Sequence, residues 1–146
     1  MSHVSHEITI NVSPERVFAA LLDVEHAPEW MANLEEVRNV TGCAVGDSFE
    51  WTFRMTGLTF KGKTVFAIIV PNQRLREEGS GDLTNAWDWQ LSPTGDGKTR
   101  VKVDIDYVVP GGELIGGMLN KLFVERQNDK DLLQSLANLK QRVEGT

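Results

Sequence analysis

The stretch from Glu113 to Glu144 constrains the fold most, because it predicts one long amphipathic helix without a proline to interrupt it. At ~100° per residue, a set of apolar side chains falls in one sector of this helix. The set comprises Met118, Leu122, Leu132, Leu133, Leu136, Leu139 and Val143. At ~1.5 Å per residue the helix would reach about 45 Å, the width of a compact domain of this size. The rest of the chain must therefore pack along it.

Composition indicates one globular domain over residues 1–146. A chain of 146 residues that is 40% hydrophobic and 25% charged is long enough to bury a core. The formal net charge of −6 argues against nucleic acid or an anionic membrane as a partner, because no basic stripe offsets the acidic excess. The sequence therefore favours a small or neutral partner.

Several features place the chain in a reducing, cytoplasmic setting. Cys43 is the single cysteine, so no internal disulfide is possible. The chain shows neither a secretory signal pattern nor an apolar run long enough for stable membrane insertion. His3, His6 and His26 lack the arrangement of a zinc site or a catalytic triad, and no phosphate-binding glycine motif is present. We expect no metal and no cofactor, and the oligomeric state is left open.

Most of the chain before the helix alternates apolar and polar residues, as strands do. The predicted strands are His3–Val12, Glu35–Thr41, Ser48–Met55, Leu58–Val70, Arg74–Glu78, Leu83–Leu91 and Lys98–Val109. Two short helices separate the first two strands. One begins at Ser13-Pro14-Glu15 and ends near Asp23, and the other covers His26–Met31.

Strands that follow one another through short turns predict an antiparallel sheet with its helices on one face, an α+β domain. Seven strands at ~4.8 Å span roughly 30 Å, whereas one helix is ~10 Å wide, so the sheet must curl around it. We expect Ile68 on the inner face and the charged strand Arg74–Glu78 at an edge.

The predicted inner face carries unusually large side chains. Aromatic residues there either fill the core or line a roomy pocket, and buried indole N–H groups, which need partners, favour the pocket. The candidate ligand-binding residues on the strands and the preceding loop are Trp30, Trp51, Phe53, Met55, Phe60, Trp87, Trp89, Ile105 and Tyr107. The C-terminal helix contributes Met118, Leu122, Glu125 and Asp129.

Glu125 and Asp129 fall within ~20° of the centre of the apolar stripe, where a dry core would tolerate neither. Two interpretations are open. Either the acids pair with an arginine such as Arg54, or they form a polar end to a cavity and hold a hydroxyl or carbonyl of the ligand.

Over essentially its whole length the chain resembles the START/SRPBCC superfamily, in its polyketide-cyclase/dehydrase-like branch. The motifs that carry the resemblance are Ser13-Pro14-Glu15-Arg16-Val17-Phe18, Asp23 through Pro28-Glu29-Trp30, Val45-Gly46, Val70-Pro71 and Leu136-Ala137-Asn138-Leu139-Lys140. The resemblance implies a helix-grip fold, in which a seven-stranded antiparallel sheet wraps the C-terminal helix and encloses a cavity for a hydrophobic molecule. Members of the superfamily differ widely in activity.

Three functions are consistent with the sequence. The leading hypothesis is the binding, transport or sensing of a hydrophobic small molecule, such as a lipid, quinone or aromatic polyketide. The second is a cyclase or dehydratase that uses Glu125 or Asp129 as acid or base together with Tyr107. The third is a protein-interaction domain, which predicts an exposed apolar patch instead of an enclosed one.

Overall fold

The computed structural model describes residues 1–55, 57–108 and 121–145. Seven strands form one sheet: β1 (Ser2–Ile10), β2 (Leu34–Arg38), β3 (Ser48–Met55), β4 (Leu58–Val70), β5 (Arg74–Gly81), β6 (Asn85–Pro93) and β7 (Thr99–Tyr107). Helix α1 (Pro14–Leu22) and a 3₁₀ helix (Val24–Glu29) lie between β1 and β2, and helix α2 (Lys121–Glu144) follows the sheet.

Strands β2 to β7 form a meander, and the connection from β1 to β2 crosses from one edge of the sheet to the other. The strand order is β1-β7-β6-β5-β4-β3-β2, and every neighbouring pair is antiparallel. The prediction of an α+β fold, with the sheet curled around the C-terminal helix and two short helices after the first strand, is therefore confirmed. Predicted strand limits differ from the observed ones by a few residues, as expected where fraying ends carry little pattern.

The placement of Arg74–Glu78 at an edge was wrong, because β5 pairs with β4 on one side and with β6 on the other. Arg74, Arg76 and Glu78 lie on the outer face, whereas Glu77 lies on the inner one. On the outer face, Asp88 of β6 forms ion pairs with Arg74 at 2.7 Å and with Arg76 at 3.3 Å. A charged outer face is compatible with a central strand when the neighbouring strand supplies the opposite charge.

The placement of Ile68 on the inner face was also wrong. The register between β4 and β5 shifts between Phe66 and Ile68, which is the mark of a β-bulge. Beyond the bulge Ile69 lies opposite the fully buried Leu75 and packs on the core. One extra residue exchanges the two faces of a strand, and the sequence pattern alone did not reveal it.

Helix α2 is held by hydrogen bonds to the N-terminal half of the chain. Near its C-terminus the Lys140 ammonium donates to the Thr9 carbonyl at 2.9 Å, and the Asn138 amide donates to the Trp30 carbonyl at 3.1 Å. One turn earlier the Ser135 hydroxyl accepts the Ala32 N–H at 2.8 Å. The helix is therefore tied both to β1 and to the segment that follows the 3₁₀ helix.

The buried stripe of α2 differs from the predicted one. Leu132, Leu136, Leu139 and Val143 are buried as expected, but Leu122 and Leu133 are 54% and 47% exposed, and Val124 is buried in their stead. At ~100° per residue the centre of the buried stripe is rotated by about 45° from the centre of the predicted one. Met118 and the rest of the predicted helix before Lys121 lie outside the described residues.

Candidate functional site

A cavity of about 140 Å³ lies between the inner face of the sheet and α2, with the 3₁₀ helix and the segment after it closing one side. Its walls are mostly apolar. The aromatic residues that line it are Trp30, Phe49, Trp51, Phe53, Trp87, Trp89 and Tyr107. The polar residues that line it are Thr64, Glu77, Thr84, Asn85, Asn128, Asp131 and Ser135.

Three indole rings form a continuous part of the wall. Trp87 and Trp89 project from the same face of β6 and stack, with ring centroids 5.9 Å apart and planes at 22°. Trp30 meets Trp89 edge-on, at 6.1 Å and 75°. Such contacts add to the free energy gained by burial and hold each ring in one orientation. The three rings therefore support one another in this part of the wall.

The fourth tryptophan, Trp51, depends on a glycine. Gly62 lies directly opposite Trp51 across the β3–β4 pair, and a Cβ on Gly62 would collide with the Trp51 ring and with the Ser80 carbonyl. The Trp51 indole N–H donates to the Thr64 hydroxyl at 2.9 Å, which satisfies a donor that would be costly to bury alone. Glycine thus lets a large flat ring lie against the sheet.

Glu77 is the acid that the cavity encloses most tightly. It lies on the inner face of β5, directly opposite Trp87, and its carboxyl hydrogen-bonds with the side chain of Trp89. Glu77 lines the cavity and is only partly exposed. Burial raises the pKa of Glu77 to about 7, and the bond with Trp89 only partly opposes that rise.

Helix α2 contributes a polar end to the cavity. Asp131 accepts the Asn33 side-chain amide at 2.5 Å and the Gln127 side-chain amide at 3.0 Å, and burial raises its pKa. The hydroxyl of Tyr107 hydrogen-bonds with Asn128, although burial is the main cause that raises its pKa. Because the buried stripe of α2 is rotated from the predicted one, these polar residues face inward. A cavity wall can accommodate them, whereas a dry core would exclude them.

Eight of the residues predicted to bind the ligand do line the cavity: Trp30, Trp51, Phe53, Met55, Trp87, Trp89, Ile105 and Tyr107. Their role in ligand binding stays a prediction. Phe60 is buried but does not line the cavity, and Leu122 also lies outside it. Met118 lies outside the described residues.

Glu125 and Asp129 are not among the residues that line the cavity. Asp129 accepts a hydrogen bond from His6 Nε2 at 2.6 Å, at the junction of α2 with β1. Arg54, suggested as a partner for these acids, instead pairs with Glu35 at 2.8 Å. The polar end of the cavity exists, but it is formed by Asn128, Asp131 and Ser135 instead.

Sequence reasoning did not select Glu77, although a signal was present. Leu75 and Glu77 alternate with the arginines of β5, so counting from Leu75 places Glu77 on the inner face. The error followed from treating the strand as an edge, where an inward acid is common. Asn128, Asp131 and Ser135 carried no signal, because the helix pattern was read from its leucines.

Among the described residues, no three histidine, cysteine or acidic side chains come together as candidate metal ligands. Within the same residues, no helix has the length and apolar character needed to cross a bilayer.

Comparison with known proteins gives a family and a fold. The family model described as polyketide cyclase/dehydrase and lipid transport matches residues 1–144. A search of curated proteins found no match.

Three solved structures share the fold. A START superfamily protein from Mycobacterium smegmatis is 19% identical with a TM-score of 0.78, over 98% of this chain and 97% of that one. TTHA0849 from Thermus thermophilus is 23% identical with a TM-score of 0.76, over 99% and 98%. The Zhui aromatase/cyclase from Streptomyces sp. R1128 is 14% identical with a TM-score of 0.76, over 98% and 93%.

Proposed function

This chain belongs to the polyketide cyclase/dehydrase and lipid transport family, and we propose that it binds a hydrophobic, ring-containing small molecule in the cavity between the sheet and α2. The family supports a hydrophobic ligand-binding or cyclase role in general terms. The choice of a ring-containing ligand comes from the cavity walls, which four tryptophans and Tyr107 help to form.

The observation that carries the proposal is a void within an otherwise closely packed core. Phe66, Leu75 and Leu136 are almost fully buried in the same core, yet about 140 Å³ stays open between the sheet and α2. Protein interiors normally leave few voids larger than a water molecule. An apolar cavity of about 150 Å³ is large enough to take up benzene, so this one suits a single aromatic or aliphatic ring.

The test is native mass spectrometry of the full chain purified from its own host, together with tryptophan fluorescence titrations against lipids, quinones and flavonoids. Ala32 lines the cavity, whereas Ala137 lies on the exposed face of α2. We expect Ala32→Phe to weaken binding by filling the space, and Ala137→Phe to leave it unchanged. Absence of both a co-purifying mass and a fluorescence response across the panel would refute the proposal.

A cyclase or dehydratase activity in the same cavity is the second candidate. The observation that favours it is that Tyr107 and Glu77 both line the cavity. An acid with a pKa near the working pH can give and take a proton, and a hydroxyl can polarise a carbonyl. Turnover of a poly-β-ketone substrate, followed by mass spectrometry, should fall in Tyr107→Phe and persist in the Glu125→Gln/Asp129→Asn double variant.

A further inference from the structure

The cavity has an unbalanced set of charges. Among the described residues that line it, the ionisable groups are the carboxyls of Glu77 and Asp131 and the phenol of Tyr107, with no lysine, arginine or histidine. Arg74 and Arg76 belong to the same strand as Glu77 but form ion pairs with Asp88 on the opposite face. Within the part of the chain that the structure describes, the cavity therefore offers two carboxyl groups and no cationic side chain to pair with them.

The two acids are not equivalent. Asp131 already accepts two amide donors, from Asn33 and Gln127, at the helix side of the cavity. Glu77 lies against the indole rings, with Trp87 opposite it and Trp89 as its hydrogen-bond partner. A carboxylate in this aromatic enclosure has a high solvation cost unless a positive charge accompanies it.

We propose that Glu77 anchors the ligand and that the ligand carries a protonated amine next to its ring. This inference rests on the proposed function and specifies its ligand class. A protonated amine would form a charge-assisted hydrogen bond with Glu77 and face the indole rings, which attract cations. An anionic ligand such as a fatty acid would meet two carboxyl groups, so we expect the cavity to exclude it.

Because the Glu77 carboxyl gains and loses a proton near neutral pH, the proposal predicts the direction in which ligand affinity changes with pH. Because burial raises the pKa of Glu77 to about 7, its carboxyl is mostly neutral at low pH and mostly charged at high pH. A ligand amine binds the charged form, so its affinity should rise about tenfold between pH 6 and pH 8. A neutral ligand that accepts a hydrogen bond from the protonated carboxyl would show the opposite slope.

Other groups that face Glu77 must be separated from it. Tyr107 on β7 has a pKa raised above its ordinary value, so it stays neutral across this range. Asp131 on α2 is the other acid among the described lining residues, and burial raises its pKa too. The inner-face residues of the neighbouring strands, such as Thr64 on β4 and Trp87 and Trp89 on β6, do not titrate here.

The experiment compares three single-ring probes of matched size on the full chain: benzylamine, benzyl alcohol and benzoate. Dissociation constants come from isothermal titration calorimetry at pH 6 and pH 8, where benzylamine stays protonated. We expect benzylamine to bind best, benzoate to bind worst, and only benzylamine to gain about tenfold at pH 8.

Three variants locate the effect. Glu77→Gln should abolish both the preference for benzylamine and its pH slope, while benzyl alcohol still binds. Glu78→Gln makes the same change of charge one residue away on the exposed outer face and should behave as the parent protein. Asp131→Asn should keep the slope, since Glu77 still titrates.

The results separate the two proposals. If benzyl alcohol binds as well as benzylamine, or if the benzylamine slope is flat or reversed, Glu77 does not anchor an amine and only the present inference fails. If none of the three probes binds at either pH, and the lipid, quinone and flavonoid panel is also inactive, the proposed function fails with it. Even if Glu77→Gln does not fold, the measurements on the parent protein at pH 6 and pH 8 show whether its affinity for benzylamine rises or falls with pH.

Discussion

Two acids on neighbouring strands behave in opposite ways, although both lie at the centre of the same sheet. On the outer face, the guanidinium of Arg74 holds the pKa of the Asp88 carboxyl below its ordinary value, with Arg76 adding to the effect. On the inner face, burial among indole rings raises the pKa of Glu77 to about 7. The difference teaches that the partners on each face, and not the strand, decide what an acid can do.

The largest expected effect comes from removing a ring of the inner face. Trp89 is 1% exposed, stacks on Trp87 and meets Trp30 edge-on. We expect Trp89→Ala to lower the free energy of unfolding by about 3–5 kcal/mol, because truncating a buried aromatic leaves a cavity. Urea denaturation followed by circular dichroism measures this.

Gln90→Ala is the matched control, since Gln90 is the next residue along β6 and is exposed on the other face. Its expected change is within about 0.5 kcal/mol. Equal losses for the two variants would contradict the assignment of the faces.

The second prediction concerns Glu77, whose substitution should stabilise the protein at high pH, whereas Trp89→Ala destabilises it. The pKa of Glu77 is raised from an ordinary 4.5 to about 7 in the folded protein, so the native state holds its proton longer than the unfolded state does. The resulting destabilisation is absent below the unfolded pKa, grows as pH rises to the folded pKa, and reaches roughly 3 kcal/mol above it.

Glu77→Gln removes this titration, so we expect the variant to be more stable than the parent at pH 8 and similar to it at pH 4. The unfolding free energy of both proteins across that range provides the measurement. If the unfolding free energies of the two proteins changed in parallel with pH, the Glu77 carboxyl would be well solvated. The proposed difference between Glu77 and Asp88 would then be wrong.

The third effect tests the outer face. Asp88 accepts hydrogen bonds from Arg74 Nε at 3.1 Å and Nη2 at 2.7 Å. We expect Asp88→Asn to lower stability at pH 7 by about 1.5–3 kcal/mol, the range for hydrogen bonds to charged groups. Because the folded pKa of Asp88 is lowered, this contribution is present above the unfolded pKa and is lost as pH falls through the folded pKa.

The difference between parent and Asp88→Asn should therefore shrink at pH 3, as measured by urea denaturation. Glu7→Gln, which changes an exposed acid on β1, serves as the control and should show almost no effect. A loss that is equal at pH 3 and pH 7 would mean that shape, and not charge, makes Asp88 important.

The smallest effect concerns an ion pair on the protein surface. Arg54 and Glu35 are 2.8 Å apart, with their side chains 54% and 43% exposed. We expect Arg54→Gln to change the unfolding free energy by about 0.2–1 kcal/mol, because exposed ion pairs gain little in water. Thermal unfolding at low and high salt measures this change. A loss of stability as large as that of Asp88→Asn would contradict the expectation that the exposed pair contributes less than the Asp88 ion pairs.

The order and type of the elements followed from the sequence, because strand alternation and helix periodicity are local properties that burial reinforces. The alternation in β3 and β6 also placed Trp51, Trp87 and Trp89 on the inner face, where the structure has them. Pairing in three dimensions decided the rest. Glu77 was not selected because its strand was interpreted as an edge, and Glu125 and Asp129 were selected because the helix stripe was centred on the wrong residues.

What the sequence determined by itself was thus the list of elements and the face of most strands, since both depend on the spacing of apolar residues along the chain. Only the tertiary structure decided which strand lies at the centre, how α2 is rotated and which acids meet the cavity. Those outcomes depend on strand order, on the bulge in β4 and on bonds between distant residues such as Ala32 and Ser135. Local alternation groups Glu77 with Leu75 on one face of β5, but no local pattern shows that this face meets a cavity. That outcome depends on which distant segments the chain packs against.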